Sequence, residues 1–168
     1  MFIDLYIFWL SNRMKDIYNY FLLIRPLNVL VSGLAMIISA AILDSLDQEL
    51  LVILVVLVVM AYTAGANSIN DVLDLEIDKV NRPSRPIPSK NIRKEKALIF
   101  SFFLFLLGSV LSLQLPSNAY FISIVVSMPL MIIYSTHLKS KPLIGNIAVS
   151  FIIGLSFIFC GTAFGNVS

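Results

Sequence analysis

GANSINDVLDLEIDKVNRPSRPIPS, residues 65–89, joins the end of an unbroken hydrocarbon run to a cluster of acids and then to a basic loop. If the run is a helix that continues into the acids, Asn67, Asp71, Asp74 and Asp78 fall within about 60° of one face, while Glu76 points the opposite way. Carboxylates stacked on one stripe at the mouth of a membrane helix repel one another and lose hydration, so they require water or a cation. Oxygen donors without His or Cys favour a hard ion, most of all magnesium, whose remaining positions commonly take substrate phosphate oxygens. The stripe reads as a dock for a metal and a diphosphate. Its plainer reading is a set of solvated acids at a helix end just beyond the bilayer.

The surroundings favour the membrane. The 168 residues are 58% hydrophobic and only 13% charged, with a mean hydropathy of +0.91, which is the composition of a polytopic all-α membrane protein and not of a soluble domain. The whole chain reads as a single transmembrane domain, residues 1–168, without linker, low-complexity tract or short repeat. Cys160 is the one cysteine and lies in an apolar run, so it forms no intrachain disulfide and reads as a small core residue. No nucleic-acid partner is expected.

Residues 1–13 are too short to span and carry an acid among aromatics; they are either an interfacial piece or precede the true start at Met14. Residues 14–26 then suit an interfacial helix that ends where Arg25 and Pro26 turn the chain inward. Spans are expected at about 27–43, 50–66, 97–115, 119–134 and 143–164. The loop at 79–96 holds three prolines and seven Lys or Arg against one Glu. This loop, the piece before span one and STHLKSKP after span four are all basic and fall on one side. That side is predicted to be cytoplasmic, together with the amino terminus of a multi-pass cell-membrane protein. Asp44, Asp47 and Glu49 fall on the opposite side and cannot complete the same metal site.

The run NDVLDLEIDKVNRPSRPIPS resembles the first aspartate-rich signature of the UbiA superfamily of intramembrane prenyltransferases, NDxxDxxxD followed by a basic, proline-containing loop. RPLN at residues 25–28 is similar to the family's opening RPxN, and YSTHLKSKPLIGN from Tyr134 is similar to its Tyr and Lys pair after the fourth span. The resemblance implies nine helices around a cavity open to the bilayer, with a second aspartate motif on the sixth helix facing the first. The present residues match the first five, so a missing second half or pairing of two copies is expected to complete the enclosure. RPSRPIPS and KPLIGNIAVSFIIGLSFIFCGTAFGN are most similar to the archaeal ether-lipid branch. That branch moves a geranylgeranyl group from its diphosphate to geranylgeranylglyceryl phosphate; quinone, haem and chlorophyll enzymes share the signature with other acceptors. The resemblance assigns magnesium to Asp71, Asp74 and Asp78, with Asn67 as neutral donor, and diphosphate contacts to Arg25, Asn28, Lys79, Arg82, Tyr134 and Lys139.

The residues alone leave plainer roles open. The basic loop satisfies the positive-inside rule without touching substrate, and Tyr134 and Lys139 suit a belt aromatic and a snorkelling cation. His137 reads as interfacial, and Gly145, Gly154, Gly161 and Gly165 as packing positions. A non-catalytic membrane protein that binds metal or lipid phosphate, or a transporter part that coordinates its cation, is the rival class.

Overall fold

The computed structural model describes residues 2–165, and among them every regular element is helical. The helices are α1 (Phe2–Leu23), α2 (Pro26–Ile42), α3 (Glu49–Leu73), α4 (Leu75–Asn81), α5 (Lys94–Ser112), α6 (Ser117–Leu138) and α7 (Pro142–Ala163). Four of them are long and apolar enough to cross a membrane, and there are up to five spans when the bent pair Arg13–Leu23 and Pro26–Ile42 is counted as one. Side chains such as Leu34, Phe102 and Ile147 remain exposed along them, which suits helices whose solvent is lipid. The protein is a multi-pass membrane protein.

At the amino-terminal end one continuous helix runs from Phe2 to Leu23, across the division expected at Met14. Its first turns carry an exposed Tyr6–Trp9 stack, and the Arg13 guanidinium lies 5.0 Å from the centre of the Trp9 ring, as suits the membrane–water interface. The chain then bends by 55° into α2. Pro26 cannot supply a helical N–H and disfavours the right-handed helical backbone at the residue before it; Arg25 takes φ 54°, and Pro26 opens the next helix.

α3 is the central element, packed chiefly against α5 and α2. From Glu49 to Asn67 it rises about 27 Å, nearly the thickness of a hydrocarbon core. Small residues let its neighbours come close. Gly108 of α5 faces the Tyr62 ring, Gly65 faces Phe105, and the Ser101 hydroxyl donates to the Gly65 carbonyl at 2.8 Å. The Tyr62 hydroxyl lies 3.0 Å from Ser109 Oγ and 3.2 Å from Ser123 Oγ, so this polar group is satisfied inside the bundle. Cys160 joins Met36, Val58 and Phe159 in the core. Gly145 approaches the Leu138 carbonyl closely, whereas Gly154 faces open space, so the packing role expected for Gly154 is not found among the described residues.

α6 contains two wide turns with π-helical hydrogen bonding, at Ile122–Ser127 and Tyr134–Leu138. The first precedes Pro129, whose ring would crowd the carbonyl of Val125 in a regular α-helix. The second re-aims the end of the span.

Placing a Cβ on Gly108 brings it to 2.5 Å from a ring carbon of Tyr62. Gly108→Ala is expected to destabilise the protein by about 1–3 kcal/mol, whereas Gly154→Ala, with nothing within 4 Å, is expected to be neutral or slightly stabilising. Thermal unfolding of the two variants in one detergent checks the contrast.

Candidate functional site

The acidic stretch keeps the face anticipated for it but not an unbroken helix. α3 stops at Leu73, Asp74 takes φ −87° and ψ 6°, and α4 resumes at Leu75. The backbone bonds Asp74 N to Asn70 O (2.9 Å) and Asp78 N to Asp74 O (2.8 Å) preserve the turn spacing across the break. Asp71 and Asp78 are accordingly buried, at 2% and 5% exposure, while Glu76 faces solvent.

Buried carboxylates need partners, and three separate segments supply them. Asp71 Oδ1 accepts from Arg25 Nη2 at 2.5 Å and from Arg85 Nη1 at 3.0 Å. The same Arg85 nitrogen donates to Asp78 Oδ2 at 2.6 Å. Asp74 Oδ1 accepts from Lys139 Nζ at 2.5 Å. The elbow before α2, the loop after α4 and the end of α6 thus converge on one end of the bundle, which is the common side inferred for the three basic segments.

Local chemistry explains each cation's position. The Asn67 amide nitrogen donates to the Ile24 carbonyl at 2.8 Å and ties the elbow to α3, so Arg25 sits over Asp71. The 82–93 loop is folded back by Ile87 and Ile92, which are buried with Leu23, Val72 and Ala97. At the end of α6, Lys139 N donates to Tyr134 O at 3.0 Å, an i→i+5 bond, so the wide turn brings residues five apart into one turn. Tyr134 is half-buried beside that turn.

The other predicted contacts lie apart. Lys79 is exposed and pairs with Glu76 at 2.7 Å, on the outer side of α4. Arg82 is exposed at the start of the loop. Asn28 lies one turn past Arg25, at the mouth of an apolar cleft of about 430 Å³. Ser32, Ala35 and Met36 of α2, Thr63 of α3 and Phe157 of α7 also line this cleft. Arg85 was missed at the sequence level; the two isoleucines in a basic loop are the signal that the loop packs back.

The arrangement also bears on a metal. Among the described residues, no three acidic, His or Cys side chains converge as a ready cage. The donors nevertheless suit a hard cation: Asp71 and Asp78 reach one positive centre, now the Arg85 nitrogen, and Asn70 Oδ1 on the same helix is buried without a hydrogen-bond partner. Asn67, the neutral donor expected from the helical face, has its amide nitrogen committed to the elbow.

The UbiA prenyltransferase family profile matches residues 28–168. The chain belongs to this family. Digeranylgeranylglyceryl phosphate synthase of Methanothrix thermoacetophila is 41% identical over 145 residues, covering 84% of this chain and 53% of the relative. The synthase of Methanococcus vannielii is 38% identical over 156 residues, covering 91% and 55%. A solved structure from work on digeranylgeranylglyceryl phosphate synthase in membranes superposes with a TM-score of 0.83 at 35% identity, over 89% of this chain and 53% of that one. The chain thus spans about half the length of these UbiA relatives.

Arg85→Ala leaves Asp78 buried without the cation that pairs with it and is expected to cost about 3 kcal/mol, while Lys79→Ala, an exposed pair, costs less than about 1 kcal/mol. The first loss should shrink markedly in an Asp78→Asn background, because the stranded charge is then gone; unfolding midpoints of the single and double variants measure this coupling.

Proposed function

We propose that this chain carries the diphosphate-binding part of an intramembrane prenyltransferase that moves a geranylgeranyl group from its diphosphate to geranylgeranylglyceryl phosphate in ether-lipid synthesis. The observation that carries the reading is the junction of two unlike environments. Arg25, one member of a cluster of acids and cations from three segments, precedes by one helical turn Asn28, which lines an apolar cleft. A polar head on a long hydrocarbon tail needs both, and the names of the relatives agree with that substrate.

In this reading the allylic carbon–oxygen bond to the diphosphate breaks, a new ether bond forms to the acceptor's hydroxyl oxygen, and the hydroxyl proton leaves with the diphosphate. Charge grows on the departing oxygens, and preorganised cations stabilise it. Arg25 and Arg85 can each engage two oxygens, and Lys139 offers a point charge; all three belong to the ionic cluster around the aspartates, with Arg82 exposed to solvent. Asn70, Asp71 and Asp78, with Asp74, would hold magnesium, which when bound adds positive charge at the leaving group. The apolar walls exclude water from the allylic centre and so protect it from hydrolysis. A second acidic motif facing the first is assigned to residues outside those present here or to a second copy. In this reading the acidic end faces the cytoplasm at the cell membrane; the gathering of the three basic segments at that end supports this through the positive-inside rule.

Transfer of labelled geranylgeranyl diphosphate to geranylgeranylglyceryl phosphate, in membranes containing this chain with and without the co-expressed second half of a full-length relative, tests the proposal. Asp71→Asn and Asp74→Asn are expected to lower turnover about a hundredfold or more while membrane insertion is unchanged. Lys139→Ala should raise KM for the diphosphate more than for the acceptor. Full activity in both aspartate variants overturns the site, and product only with a quinone or aromatic acceptor overturns the ether-lipid assignment.

A further inference from the structure

A serine buried in a helical bundle has a ready acceptor in the carbonyl three or four residues back, and this chain uses it repeatedly. Ser39 Oγ donates to Ala35 O at 2.7 Å, and Ser68 Oγ to Ala64 O at 2.8 Å. Ser101 and Ser123 find partners on α3 instead. Ser135 does neither: it is 1% exposed, and its Oγ has no hydrogen-bond partner among the described residues. A hydroxyl withdrawn from water and left unbonded costs stability, so its partner is expected from outside the fold.

Two more buried atoms lack a partner among the described residues, Arg25 Nε and Asn70 Oδ1. All three therefore belong to the segments that carry the ionic cluster. α3 and α6 both run toward that cluster and meet at the Asp74–Lys139 pair. One turn back along α3 is Asn70, whose carbonyl accepts the Asp74 N–H; about one turn back along α6 is Ser135, in the wide turn that packs against α3. Asn70 and Ser135 thus stand at one level, about 5 Å nearer the middle of the bundle than Asp74 and Lys139. A further turn back from Ser135 is Met131, which lines the apolar cleft, as Asn28 does one turn beyond Arg25. Along each of these two segments an unpartnered atom marks the step between charge and hydrocarbon.

We propose that Ser135 is a substrate-binding residue whose hydroxyl donates to an oxygen of the phosphate nearest the prenyl tail. This rests on the diphosphate reading above. In an allylic diphosphate the ester-linked phosphate joins the charged head to the hydrocarbon, and Ser135 occupies that same step along α6. Lys139, one turn farther out, meets the head as a point charge, whereas the serine adds a short directional donor at the inner phosphate. A phosphate oxygen is a charged acceptor, strong enough to replace the hydration that Ser135 loses on folding. Arg25 Nε–H is a second unpartnered donor at this end of the bundle.

The experiment uses this chain in nanodiscs with magnesium. It measures binding of geranylgeranyl thiolodiphosphate, which resists ionisation, of geranylgeranyl monophosphate by displacement of that analogue, and of geranylgeranylglyceryl phosphate. Ser135→Ala is expected to weaken the thiolodiphosphate and the monophosphate by the same factor, about tenfold, and to leave the glyceryl phosphate unchanged. The unfolding midpoint of the ligand-free variant should equal or exceed that of the wild type, because an unbonded buried hydroxyl has been removed. A serine kept only for packing would not combine lost affinity with an undiminished midpoint. Ser135→Thr retains the hydroxyl and should recover most of the affinity. Ser112→Ala, which removes a hydroxyl bonded to Ser109 O at the far end of α5, should leave all affinities unchanged. Unaltered affinities in Ser135→Ala overturn the assignment, as does a loss matched by a lowered midpoint, or one limited to the diphosphate or to the glyceryl phosphate. If the wild-type chain binds neither prenyl ligand, the diphosphate reading falls and the role of Ser135 with it.

Discussion

The structure depends on satisfying Asp71, a buried carboxylate at one end of the bundle. A carboxylate removed from water is tolerated only when cations and hydrogen bonds replace the hydration it loses. Arg25 and Arg85 do this from two directions, and each brings its own segment with it. Arg25 comes with the elbow that turns α1 into α2; Arg85 comes with the loop that Ile87 and Ile92 anchor against Val72. Lys139 does the same for Asp74 and so fixes the end of α6 beside α3. Three loops at one end of the bundle become a single ionic unit.

Much of this was legible in the sequence because the bilayer permits few solutions. Apolar runs of spanning length had to be helices; α2 and α7 begin and end within one residue of the apolar runs at 27–43 and 143–164, while α3 continues to Leu73, seven residues beyond the run at 50–66. The common side of the basic loops followed from charge alone. The inward turn at Pro26 followed from a missing N–H. Asp71, Asp78 and outward Glu76 followed from helical periodicity, which survives the break at Asp74 because the turn-spacing hydrogen bonds continue through it.

What was not legible depends on tertiary partners. Periodicity chose Asn67 as the fourth member of the stripe, and its amide nitrogen also ties that face to the Ile24 carbonyl; periodicity did not mark Asn70, about 100° away around the helix from Asp71, whose amide oxygen is buried without a partner. Arg82 and Arg85 are alike as loop cations, and only burial of the isoleucines beyond them decides which one turns inward. Tyr134 and Lys139 are five apart, a poor spacing for one face of an α-helix; the wide turn that reconciles them is a backbone choice that side-chain pattern does not announce.

Charge balance gives the proposed chemistry a physical basis independent of donor type. Asp71, Asp74 and Asp78 face Arg25, Arg85 and Lys139, so the ionic unit is neutral as it stands. A diphosphate entering such a unit brings negative charge that no surplus cation inside it can meet. Two responses are open: the basic side chains exchange their carboxylates for phosphate oxygens, or extra positive charge arrives with the substrate. Exchange alone would strand buried acids, which is the costlier state. A divalent ion taking the carboxylates as the guanidinium and ammonium groups turn to the diphosphate satisfies both sides at once. Under the proposed reading, the self-paired arrangement is what makes metal and diphosphate binding mutually dependent.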